Sequence, residues 1–180
     1  MPTQLINYQL AGEDQISQTT RADIQLLLTC SFDNYPSRSY YKQLPYQRLL
    51  AWSNDHLVAH LGIDYRMMSL SQIPICVVGG IDLCVDSAYR SHGIGSELLN
   101  RLKAFALRSN SDFIILFADD HRIYAKHGYQ RADNPCRWLK INEHTTLGVA
   151  EEPLPDALMY KRIGATNWRS GVLDLLGYLY

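Results

Sequence analysis

Apolar positions change their spacing several times along the chain, and each change marks an element. From Leu5 to Leu10 they alternate loosely, which predicts a short first strand. Ile24, Leu27, Leu28 and Phe32 then recur at helical spacing, so a helix follows, with Thr19 or Thr20 as its cap. Residues 33–45 carry Tyr35, Tyr40 and Tyr41 among serines and prolines, the composition of a loop or broken helix. Leu49–Ser53 and His56–Met68 flank Asn54-Asp55 and read as a hairpin. Ile75–Val85 makes the next strand, entered through Ser71-Gln72-Ile73-Pro74.

The period then lengthens. Ile94, Leu98, Leu102 and Phe105 form one stripe while Glu97, Asn100, Arg101, Lys103 and Arg108 fall elsewhere, which predicts an amphipathic helix over about 93–109. Phe113–Ala118 is unbroken apolar chain, as expected of a strand buried on both faces and parallel to the one before the helix. Asp119-Asp120 closes it and is placed to cap a short helix containing Tyr124. Segments near Arg137–Ile141 and Leu158–Ile163 complete a sheet.

A chain of 180 residues, 47% hydrophobic and 19% charged, suits one folded domain spanning 1–180. Residues 145–180, rich in aromatic and apolar side chains, read as a C-terminal extension packing on it, and their character admits a homodimer. A net charge of −1 without a basic run gives nucleic acid no electrostatic footing. Neither a leader pattern nor a run of ~18 apolar residues is present, so a cytoplasmic protein without a membrane partner is expected. Cys30, Cys76, Cys84 and Cys136 lack metal-ligand spacing and read as buried free thiols, with no metal site.

The segment richest in chemistry runs from Asp82 to Glu97, where a strand passes through a short turn into a glycine-rich helix start. The first turn of a helix has backbone N–H groups without intrahelical partners, and the macrodipole adds positive charge there. A phosphate docks on such a turn. Gly93 and Gly95 keep side chains out of its way, and Arg90 adds a forked donor. Strands precede this turn in antiparallel fashion, which is unlike a Rossmann dinucleotide domain, and no Walker A lysine follows Gly95.

Arg90-Ser91-His92-Gly93-Ile94-Gly95 resembles the Arg/Gln-x-x-Gly-x-Gly/Ala signature of the GCN5-related N-acetyltransferases, the GNAT superfamily, which binds the pyrophosphate of acetyl-coenzyme A. Arg122-Ile123-Tyr124-Ala125-Lys126-His127-Gly128-Tyr129 is similar to a later family segment, in which a tyrosine on a short helix precedes a Gly-aromatic pair. The resemblance covers about Leu57 to Tyr129. It implies an α/β fold of the GNAT acyl-CoA N-acyltransferase type: a mixed, mostly antiparallel sheet with a central, splayed parallel strand pair, flanked by helices. Acetyl-CoA would be the co-substrate and a small-molecule or peptide amine the acceptor, with the loop carrying Tyr35, Tyr40 and Tyr41 over the acceptor site or simply packed on the core.

The resemblance also implies site residues. Leu83, Cys84 and Val85 would offer main-chain groups to the pantetheine arm, and Arg90, Ser91, His92, Gly93, Ile94, Gly95 and Ser96 would hold the pyrophosphate. Gly79-Gly80 permits a bulge or a close backbone approach. Tyr124 is the candidate acid for the departing sulfur. Asp82 is the candidate base, with a solvated or capping residue as its plain alternative, and Asp119, Asp120 and His121 stand in reserve as helix caps. Ala59-His60-Leu61-Gly62 and Trp168-Arg169-Ser170-Gly171 are similar to short stretches of aminoglycoside 2'-N-acetyltransferases and NodA acyltransferases. The alternative functions are therefore an acyltransferase with a longer donor, acyl-CoA or acyl-carrier protein, and a non-catalytic acyl-CoA sensor.

Overall fold

The computed structural model describes residues 5–154 and 156–180. The chain falls into two compact units, Met1–Asp64 with Gly80–Leu102 and Tyr65–Gly79 with Lys103–Tyr180. Three elements, β3 (His56–Leu70), β4 (Ile73–Val85) and α2 (Ile94–Arg108), therefore contribute residues to both.

In the first unit β1 (Ile6–Gly12) pairs antiparallel with β2 (Gln47–Ser53), and β2 pairs antiparallel with the first half of β3. The Asn54 turn closes that hairpin with a left-handed backbone, φ 53°, which Asn tolerates. Helix α1 (Gln18–Ser31) buries Ile24, Leu27 and Leu28 against Leu50, Leu57 and Cys84. Its cap is Ser17 rather than Thr19 or Thr20. Ser17 is extended and its Oγ accepts the Thr20 N–H at 3.1 Å, so Thr20 already lies in the first turn.

In the second unit the strand order is β6-β9-β5-β4-β3-β10-β7-β8. β4 pairs with β5 (Phe113–Phe117) in parallel, Val77↔Phe113 to Gly79↔Ile115, as the unbroken apolar run predicts. β5 runs on through Leu116 and Phe117 in antiparallel register with β9 (Leu158–Arg162), which also carries the short β6 (Gln130–Arg131). On the other side β10 (Leu173–Tyr178) pairs antiparallel with β3 and parallel with β7 (Pro135–Asn142), and β7 pairs with β8 (Thr145–Pro153). Neither β8 nor β10 is predicted by periodicity. β8 is exposed at nearly every position, and β10 is interrupted by Leu176 in a left-handed conformation. The core gathers Met68, Ile75, Val77, Phe113, Ile115, Leu158 and Leu173, with Trp168 stacked on Tyr160 at 3.9 Å.

The turn before β4 is shorter than expected. Ser71 and Gln72 alone form it, both at positive φ, so Ile73 and Pro74 already belong to the strand. The expectation of buried thiols holds for Cys84 and Cys136, whereas Cys30 is exposed and Cys76 half-buried. Cys30 lies on α1 outside the Ile24–Leu28 stripe.

Candidate active site

The turn between β4 and α2 is built as the strand-to-helix pattern requires. Asp86 follows β4 and its Oδ1 accepts the Ala88 N–H at 2.9 Å, capping a single 3-10 turn over Ser87–Tyr89. The chain then turns through Ser91 at φ 65° and Gly93 at φ 78° into α2, which begins at Ile94. The first helical bond runs from the Glu97 N–H to the Gly93 carbonyl, so the N–H groups of Ile94, Gly95 and Ser96 have no intrahelical acceptor. A Cβ built on Gly93 would meet nothing within 4 Å. Glycine is needed there for its backbone angle, and the space over the helix start is open.

Arg90, exposed on this turn, donates from Nε to the Val85 carbonyl at 3.1 Å, which fixes the base of its guanidinium beside the helix start. One of the two lone pairs of the Val85 carbonyl is thereby taken up. His92 Nδ1 lies 2.7 Å from the Arg90 carbonyl and acts as donor there. That bond sets the tautomer of His92 and stiffens the turn.

Asp82 stands out within β4. Its φ is 51° in an otherwise extended strand, the signature of a bulge. Gly79-Gly80 are therefore not where β4 takes its left-handed step. Gly79 serves instead for close approach: a Cβ there would lie 2.3 Å from Tyr180 Oη and 2.4 Å from its Cζ. The Asp82 side chain is half-buried rather than solvated, and its Oδ2 accepts the Tyr35 hydroxyl at 2.6 Å. Burial pushes its carboxyl above the usual carboxylate range, while the Tyr35 hydrogen bond and the Arg48 charge pull it partly back.

Behind Asp82 lies a buried polar relay that the apolar pattern concealed. Arg48, 1% exposed, donates from Nε to Glu13 Oε2 at 2.5 Å, and its Nη1 lies 2.9 Å from His60 Nε2. Arg21 holds the other oxygen of Glu13. A guanidinium only donates, so His60 Nε2 accepts and Nδ1 carries the proton, which it gives to the Asp82 carbonyl at 3.0 Å. Burial, reinforced by the Arg48 charge, lowers the His60 pKa to about 3, in keeping with this neutral tautomer. Burial likewise raises the Cys84 thiol to about 12, so its sulfur is a packing group and no nucleophile.

Tyr124 belongs to the second unit. It sits on α3 (Arg122–Lys126), a single helical turn, and Asp120 receives the Arg122 N–H at 3.0 Å, the capping role expected of the Asp119-Asp120 pair. Its carbonyl accepts the His127 and Tyr129 N–H groups, and its ring meets Tyr129 edge-on at 5.8 Å. No described residue hydrogen-bonds its hydroxyl. Burial, with Asp120 nearby, pushes the phenol up to about 12, so it keeps its proton at neutral pH. His121 gives no side-chain cap; its Nε2 lies 2.6 Å from the Asp156 carbonyl. Among the described residues no group of three or more His, Cys, Asp or Glu is arranged to hold a metal ion, and no helix is long and apolar enough to cross a membrane.

The sequence reading missed Arg48 and His60. Their signal was a charged residue beside the apolar run Leu49–Trp52 and a titratable one inside the apolar run Leu57–Ile63, at Arg48↔Gly62 and Leu50↔His60 of the β2–β3 register.

The acetyltransferase (GNAT) domain model matches residues 47–131. No curated protein matches the chain. Among solved structures, the fold is similar to the GNAT family N-acetyltransferase YhbS from Escherichia coli in complex with CoA. The TM-score is 0.68 at 16% identity, covering 97% of this chain and 91% of that one. It is also similar to the ribosomal-protein-S18-alanine N-acetyltransferase from Escherichia coli, with TM-score 0.59, 14% identity, and coverage of 89% and 97%. The GCN5-related N-acetyltransferase from Kribbella flavida aligns at TM-score 0.57 and 19% identity over 71% of this chain and only 34% of its own. Residues 47–131 thus match a GNAT acetyltransferase domain, and the fold of the chain is that of the GNAT N-acetyltransferases.

Proposed function

We propose that the chain transfers an acetyl group from acetyl-coenzyme A to a primary amine of a small molecule or peptide. The observation that carries this reading is the open start of α2, where a left-handed Gly93 with free space above it leaves successive backbone N–H groups beside Arg90. Such a turn suits a pyrophosphate. The match of residues 47–131 to the GNAT domain supports the same ligand, as does the CoA held by the YhbS structure.

In this reading Arg90, Ser91, His92, Gly93, Ile94, Gly95 and Ser96 hold the pyrophosphate, and main-chain groups of Leu83, Cys84 and Val85 guide the pantetheine arm. The amine nitrogen attacks the thioester carbonyl carbon; a C–N bond forms and the C–S bond breaks. Asp82 is assigned the proton that nitrogen sheds. Burial raises its proton affinity toward that task, while the Tyr35 hydrogen bond and the Arg48 charge favour its ionised form. Tyr124 is assigned the departing sulfur, to which a phenol that keeps its proton donates a hydrogen bond. A cytoplasmic enzyme acting as monomer or homodimer, without nucleic acid or membrane, completes the proposal.

Titration calorimetry with CoA and acetyl-CoA tests it. Wild-type protein should bind both, and Arg90→Ala should weaken binding about tenfold, the scale of one charge-assisted phosphate contact. Arg90 is preferred to Gly93 as the probe, because any side chain at φ 78° strains the turn itself. Screening amines for thiol release from acetyl-CoA then finds the acceptor. A protein that binds neither thioester nor free CoA refutes the assignment.

A further inference from the structure

The first unit holds an arrangement that the domain match does not explain. Tyr35 lies on the loop after α1, far from β4 in sequence, yet its hydroxyl donates to Asp82 Oδ2 at 2.6 Å. Its ring is placed independently of that bond, by Phe32 at 5.8 Å and Tyr41 at 5.5 Å. Asp82 Oδ1 receives no hydrogen bond from the described residues. The Asp82 carbonyl, meanwhile, is held by His60 Nδ1 at 3.0 Å. Side chain and main chain of Asp82 are thus gripped from opposite ends, and one carboxylate oxygen is left to act.

We infer that Tyr35 is a positioning residue for Asp82: it ties down Oδ2, steadies the ionised carboxylate and leaves Oδ1 as the proton-accepting atom. The inference rests on the assignment of Asp82 as the base. It brings the loop over residues 33–45 into the working part of the molecule, because the aromatic cluster Phe32–Tyr35–Tyr41 sets the orientation of the base. The electrostatic surroundings fit this arrangement. The groups facing Asp82 are Tyr35 from the loop, Arg48 from β2, His60 from β3 and Cys84 from β4. Cys84 is held as thiol and His60 as neutral imidazole, and Arg48 is balanced by Glu13. Tyr35 is itself pushed well above the usual phenol range, by burial first and then by Asp82, so it remains the donor of the pair.

The test is a carboxyl-carbon NMR titration of the protein without ligand, which reads Asp82 whatever the acceptor proves to be. Asp82→Asn assigns the resonance by losing it. In Tyr35→Phe the ring contacts persist and only the hydroxyl goes. The Asp82 midpoint should then move to higher pH by about one unit, a tenfold tighter hold on the proton. A merely structural tyrosine would leave that midpoint in place, and an unmoved midpoint overturns the inference. Should Tyr35→Phe fold poorly, the Tyr35 hydroxyl proton serves in the wild-type protein. It should exchange slowly and resonate downfield, and a proton indistinguishable from that of an exposed tyrosine overturns the inference equally. Acetyl transfer by Asp82→Asn separates the two levels of argument. A loss of ~10²-fold or more supports the base on which the inference rests. Wild-type turnover removes that base even where the Tyr35 coupling is seen.

Discussion

The relay behind Asp82 makes His60 a measurable quantity. His60 is 1% exposed and sits between a permanent cation at Arg48 and a carbonyl at Asp82. Its Nε2 must accept, so protonation would break the Arg48 bond and bury a second positive charge beside the first. This is why its pKa falls to about 3, from burial first and the Arg48 charge second. The sign of the linkage follows. The unfolded chain titrates this imidazole near pH 6.5, whereas the folded chain resists protonation until far lower pH. Between those limits the unfolded state binds more protons, so the stability that His60 confers is complete above pH 6.5 and is lost as pH falls toward 3.

The perturbation is His60→Gln, which keeps an amide acceptor and donor but no titratable group. At pH 7 it should cost about 1–3 kcal/mol through imperfect hydrogen bonds. Each pH unit below 6.5 costs the wild type about 1.4 kcal/mol that the variant escapes, so at pH 5 the gap should have narrowed or reversed by about 2 kcal/mol. Urea unfolding of both proteins at pH 7, 6 and 5 reads this difference and cancels the other titrating groups, which both proteins share. A gap independent of pH would show that folding leaves the His60 pKa at its unfolded value, and a gap that widened as pH fell would show a charged His60 in the folded state; either outcome refutes the neutral tautomer.

Further outcomes concern the active groups and the frame. Tyr124→Phe should lower turnover by ~10²-fold with CoA affinity nearly unchanged, measured by steady-state thiol release and calorimetry; full turnover would take Tyr124 out of the mechanism. Gly79→Ala forces a Cβ to within 2.3 Å of Tyr180 Oη and should cost about 1–3 kcal/mol by overpacking. Combining it with Tyr180→Ala should cost clearly less than the two added together, and additive denaturation energies would mean that ring and glycine do not meet. Ser17→Ala should destabilise the protein by about 1 kcal/mol in urea unfolding, whereas Thr19→Ala should have little effect, because only Ser17 accepts a first-turn N–H.

What could be read from the chain depended on whether its cause was local. The helix over Ile94–Arg108, the buried run at Phe113 and the Asn54 turn follow from spacing and backbone preference within a few residues, and each lies where the pattern puts it. The strand-to-helix turn at Gly93 was legible from adjacent residues too, although they pointed to clearance for a ligand and not to the left-handed angle that glycine supplies there. Strand ends and caps moved by a few residues where two neighbours were equally suited, as with Ser17 against Thr20. β8 escaped notice because an exposed strand has no apolar face to alternate with.

The groups that tune Asp82 obey a different logic. Arg48 lies in a strand whose neighbours Leu49, Leu50 and Ala51 are all buried, so no alternation separates an inward charge from an outward one. Tyr35 and Asp82 meet only because α1 and β4 are brought side by side through Ile24, Leu28 and Cys84. Nor do adjacent glycines at 79 and 80 reveal that Gly79 exists to admit the ring of Tyr180. A buried charge must have partners, since leaving it alone costs far more than any hydrogen bond returns. Finding Arg48 and His60 in apolar strands is therefore already a demand for Glu13 and for an acceptor chain ending at Asp82. That demand can be stated from sequence, but only the pairing of the strands says which residues meet it.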